Sequence, residues 1–78
     1  MLRLRLFGMF RKHGRELELT LPREFTQDEF RQWLSEHHGF DRRALAESAF
    51  ANEDQVLSAH APVPQQGVLA VLPPVCGG

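Results

Sequence analysis

Leu2, Leu4 and Leu6 alternate with Arg3, Arg5 and Phe7, a period of two that predicts a half-buried strand. Leu17, Leu19 and Leu21 alternate with Glu16, Glu18 and Thr20 and predict a second. Between them, Gly8 to Arg15 has a glycine near each end and charge in its middle, which predicts a hairpin with a long, solvated loop. Antiparallel pairing sets leucine against leucine when Leu2 faces Leu19 or Leu21. Either register also brings Arg3 or Arg5 opposite Glu16 or Glu18 on the outer face. Pro22 ends the second strand, having no N–H for the ladder. The period then becomes helical. Thr26 with Glu29 three residues on is a capping box, and Phe25 and Phe30 form a hydrophobic staple around it. Phe30, Trp33, Leu34 and His37 share one helical face, and Gly39 suits the left-handed position after a helix end, so the helix is predicted from Gln27 to His38.

Asp41 caps a short helical turn through Leu45. A short strand is expected over Ser48 to Ala51, and Asn52-Glu53 is a tight turn in which Asn tolerates positive φ. Gln55 to Leu57 is the expected partner strand. Val68 to Leu72 is a continuous apolar run, predicted to be a central strand buried on both faces. The order is strand, strand, helix, short elements, strand. One sheet with a helix across one face satisfies it. The first and last strands are the most apolar and belong at the centre, as parallel neighbours with the helix in the crossover. The expected class is α+β, a ubiquitin-like β-grasp: a mixed sheet of four to five strands with one main helix packed across it. Residues 1–72 form the domain and 73–78 an extended, free tail.

The chain of 78 residues is one domain, with little room for a walled internal pocket once its core is made. A net charge of -1 lacks the basic field of a nucleic-acid binder. No apolar run approaches the roughly 18 residues of a membrane span. The alternation of charge with leucine at the N-terminus is unlike a signal peptide. Cys76 is the single cysteine, so no internal disulfide forms, and a cytoplasmic location is expected.

The ending Pro73-Pro74-Val75-Cys76-Gly77-Gly78 carries the chemistry. Two prolines stop the ladder and hold the chain extended. Two glycines have no Cβ and can enter a narrow channel. The α-carboxylate, with a pKa of about 3.3–3.7, is ionised at neutral pH and can attack an activated phosphate. Once adenylated it is an acyl donor. A bland alternative is a frayed terminus with small residues.

This tail resembles the Pro-Pro-Val-x-Gly-Gly terminus of the sulfur-carrier family that includes the small subunit of molybdopterin synthase and the thiamine-pathway carrier. Leu6-Phe7-Gly8-x-Phe10-Arg11 resembles that subunit's start, Asn52-Glu53 stands at its Asn-Gly-type turn, and Gly67 precedes an apolar strand as in the family. The sequence departs in having Cys76 where a small residue such as Ser or Ala is usual, and no glycine after Asn52. The resemblance implies that an E1-like activating enzyme uses ATP to adenylate Gly78, which becomes a thiocarboxylate. It implies that Pro73, Pro74, Val75, Cys76 and Gly77 enter a channel of the large subunit in a heterotetramer. There the tail donates sulfur to the molybdopterin dithiolene. The chain itself is expected to be no enzyme and to bind no cofactor, metal, nucleic acid or membrane. Alternatives are a carrier for thiazole or tRNA thiolation, a ubiquitin-like modifier, and a plain interaction domain.

Other residues have two readings each. Phe7, Phe10 and Phe50 are either partner anchors or core closure. Arg11, Lys12 and Arg15 are a solvated loop or a docking site for the activating enzyme. Cys76 is a tolerated small residue, or its thiol captures the activated acyl group. His37-His38 lack the spacing of a helical metal pair and suit a helix C-terminus instead.

Overall fold

The computed structural model describes residues 1–74. Four strands, β1 (Leu2–Leu6), β2 (Glu16–Leu19), β3 (Ala49–Ala51) and β4 (Gly67–Leu72), form one mixed sheet in the order β2-β1-β4-β3. β1 runs antiparallel to β2 and parallel to β4. The helix α1 (Gln27–His38) lies in the crossover, followed by the short α2 (Arg42–Ala46). This is an α+β, β-grasp-like fold. Of the two registers open to the hairpin, the structure takes Leu2 opposite Leu19, with Arg3 against Glu18 and Arg5 against Glu16. The outer face adds long ion pairs from Arg3 to Glu16 (3.6 Å) and to Glu18 (3.7 Å). Such exposed pairs contribute little to stability and mainly favour this register.

α1 begins and ends where its local signals place it. The Thr26 hydroxyl accepts from the Glu29 N–H (3.1 Å) and the Glu29 carboxylate accepts from the Thr26 N–H (2.9 Å). The latter bond, with Arg23 nearby, holds the Glu29 carboxyl below its ordinary range. The Phe25 and Phe30 rings sit 6.1 Å apart, as a staple requires. Gly39 takes φ +70° at the C-cap. Phe30 and Leu34 are fully buried with Leu2, Leu4, Leu6, Leu69 and Val71 in the single core. Phe30 meets Phe50 of β3 at 5.4 Å between centroids. Burying each such side chain is worth about 1.5–3 kcal/mol.

Five expectations need correction. Gly8–His13 is a 3-10 helix rather than a solvated loop, because Phe10 turns inward to stack on Phe40 at 5.4 Å. β2 stops at Leu19, short of Pro22, because Thr20 has no paired residue beyond Leu2 on β1. His37 is exposed, and Phe40, folded back after Gly39, takes the last inward place. Gln55 to Leu57 contributes only the bridge Ala51–Val56, and Asn52 keeps negative φ. Its side-chain oxygen caps the turn by accepting from Asp54 and Gln55 N–H groups, both at 2.9 Å. β4 is central but buried on one face only. Leu69 and Val71 are sealed under α1, whereas Val68, Ala70 and Leu72 are half-buried on the uncovered face.

Candidate functional site

β4 delivers the tail. Its last residue, Leu72, pairs with Ala49 at the edge of the parallel β1–β4 ladder, and Pro73 and Pro74 follow outside the ladder. Both prolines are half-buried. Pro73 lies directly over Gly8. A Cβ on Gly8 would stand 2.7 Å from the Pro73 Cγ, and Gly8 also has φ +54°. Only glycine satisfies both demands. The hairpin turn and the tail exit are thereby in contact, although 65 positions separate them in sequence. Val75, Cys76, Gly77 and Gly78, the reactive part of the expected site, lie outside the described residues.

The phenylalanines with two readings, partner anchor or core closure, divide. Phe10 is 1% exposed and belongs to the core, so its side chain offers no anchor to a partner. Phe50 is buried in the same way. Phe7 remains at the surface, half-buried, with the guanidinium groups of Arg5 and Arg11 at 5.6 and 5.7 Å from its ring centre. Arg11 is held there by its Nε, which donates to the Leu6 carbonyl at 3.2 Å. Arg5, Leu6, Phe7, Arg11, Arg15 and Glu16 line a cleft of about 490 Å³. Arg11 and Arg15 thus join Arg5 in one place, while Lys12 is exposed outside that lining.

Three of the histidines, His13, His37 and His38, pack against aromatic rings. His13 stacks on Phe40 with centroids 4.3 Å apart and planes 6° from parallel, and its Nε2 is buried without a hydrogen-bond partner among the described residues. His37 and His38 lean on Trp33 at 5.6 and 5.0 Å. Burial, then the neighbouring His37 and His13, push the His38 imidazole below its ordinary value. Among the described residues, no group of three or more His, Cys, Asp or Glu side chains is arranged to hold a metal. No helix among them is long and apolar enough to cross a membrane.

The buried polar side chains serve the frame. Ser48 donates to the Ala44 carbonyl at 2.6 Å, and Gln27 ties down the Ser58 and Ala61 carbonyls at 2.7 and 3.0 Å. Arg31 reaches the Leu45 and Ser48 carbonyls, both at 2.9 Å, and lies over Phe50. Its role escaped the sequence reading, since an arginine on a helix face looks like solvated surface until its acceptors are placed. A comparison with protein-family models finds no match for the chain, and a comparison with curated proteins finds none.

Proposed function

We propose that the chain is a sulfur carrier of the molybdopterin synthase small-subunit type, with Gly78 as the terminal residue that is loaded. The observation that carries the reading is the junction of a β-grasp-like sheet with the sequence Pro73-Pro74-Val75-Cys76-Gly77-Gly78: a central strand leads straight into two prolines and then a diglycine. In the reaction, the Gly78 carboxylate attacks the α-phosphate of ATP on an activating enzyme and pyrophosphate leaves. Hydrosulfide from the sulfur donor then attacks the acyl carbon, AMP leaves, and the thiocarboxylate so formed is the sulfur donor. The chain supplies no catalytic side chain. It supplies an acyl group at the end of its tail, and the partners that close over the tail supply the rest. The expected acceptor complex is the large subunit of molybdopterin synthase, in which the thiocarboxylate builds the dithiolene.

Intact mass after incubation with ATP, an activating enzyme and a sulfur donor tests this. A gain of about 16 Da, sulfur replacing oxygen, that is lost when Gly78 is deleted is the expected result. An unchanged mass in a loading system proven active on another carrier would overturn the reading in favour of an interaction domain.

A further inference from the structure

We propose that the arginine cleft around Phe7 is a docking surface for a short acidic segment of a protein partner. Three guanidinium groups, from Arg5, Arg11 and Arg15, line it with one carboxylate, Glu16. That carboxylate is turned to Arg3, at 3.6 Å from its Nε. Among the described residues the ion pairs are Arg3 with Glu16 and Glu18, Arg23 with Glu29, and Arg31 with Asp28. The three cleft arginines take part in none of them. Arg5 and Arg11 are nevertheless gathered on the one Phe7 ring, and Arg11 is fixed by the Leu6 carbonyl. Like charges are held together and partly ordered before any ligand arrives. An incoming carboxylate relieves their repulsion and loses less side-chain freedom in binding them.

The charge pattern limits the occupant. The chain as a whole carries -1, and Glu16 and Glu18 stand on the adjacent edge strand β2. A nucleic acid needs a continuous basic track, and here it would meet Glu16 in the cleft lining and Glu18 on the same strand. A few acidic side chains on a polypeptide fit the local positive field. The cleft also adjoins Gly8, against which Pro73 rests. A partner that grips the tail is therefore positioned to reach the cleft in the same encounter, a clause that rests on the proposed carrier function. Carboxylates placed there would steer association and set the direction from which the tail enters.

The test needs no loading enzyme, so its outcome is separate from that of the mass experiment. The full chain, labelled with nitrogen-15, is titrated with a decapeptide of alternating glutamate and glycine. Shifts are expected at Arg5, Phe7, Arg11 and Arg15, with affinity falling roughly tenfold as salt rises from about 20 to about 200 mM. R5Q/R15Q, which leaves the Arg11–Leu6 bond intact, should weaken binding about tenfold, while R42Q/R43Q on α2 changes it less than about twofold. Equal loss in both variants, shifts confined to other surfaces, no shifts at all, or tighter binding of a single-stranded DNA dodecamer at the same cleft would each overturn the proposal.

Discussion

Gly8 carries two constraints that separate cleanly at the level of one residue. Its φ of +54° is costly for any other residue, and the space its Cβ would occupy is held by the Pro73 ring at 2.7 Å. Gly39 shares the first constraint, at φ +70°, but nothing lies within 4 Å of its absent Cβ. Gly39→Ala is therefore expected to lose about 1–2 kcal/mol from backbone strain alone. Gly8→Ala should lose more, because a proline ring cannot rotate out of the way. Pro73→Ala, which removes the Cγ, should restore part of the difference in the double variant. Urea denaturation of the four-member cycle measures it, and additivity within about 0.5 kcal/mol would mean that the contact has no energetic weight. The same contact aims the first residue of the tail, so the cycle also reports on how firmly the stalk is seated.

At the level of the element, the C-terminal end of α1 sets two effects against each other. The helix dipole favours a charged imidazole there. Burial beside Trp33, then the electrostatic influence of His37 and His13, disfavour it, and the second effect wins at His38. The folded state thus takes up the His38 proton less readily than the unfolded chain, whose ordinary value is 6.5. Above that value both states are neutral at this site, and the stability contribution is complete. As pH falls below it, the unfolded chain is protonated first and stability declines until the folded-state value is passed. His38→Gln should flatten the fall in melting temperature between about pH 7 and pH 5. An unaltered slope would place the acid sensitivity on other groups. Glu29 acts in the same direction further down the scale, since its capping bond is lost on protonation.

For the whole molecule, β4 is the member on which the others depend. It pairs with β1 on one side and β3 on the other, presents Leu69 and Val71 to the core, and carries the tail. Leu69→Ala is expected to cost about 2–5 kcal/mol, a large share of the 5–15 kcal/mol typical of a domain. Val68→Ala, on the uncovered face of the same strand, should cost about 1 kcal/mol or less. The urea midpoints of the two variants test this asymmetry. A similar loss in both would mean that the outer face is covered as fully as the inner.

Elements whose signals lie within one or two turns of themselves were legible in the chain. Thr26, Glu29 and Gly39 bound α1 because caps and left-handed glycines act on the nearest amides. The leucine alternation narrowed the hairpin to two registers because a one-residue slip would turn every leucine outward. The apolar run before Pro73 marked the central strand. What the tertiary structure decided involves partners distant in sequence. Phe40 draws Phe10 and His13 inward and makes a 3-10 helix of an apparent loop. The end of β1 sets the end of β2, and the choice between registers came with it. Phe7 came to line an arginine cleft while Phe10 became core, although both sit in the same short motif. Pro73 gave Gly8 its second reason to be glycine. Local hydrogen bonds can be read from spacing, because spacing fixes which groups can reach each other. Burial cannot, because it depends on which surfaces the fold brings together.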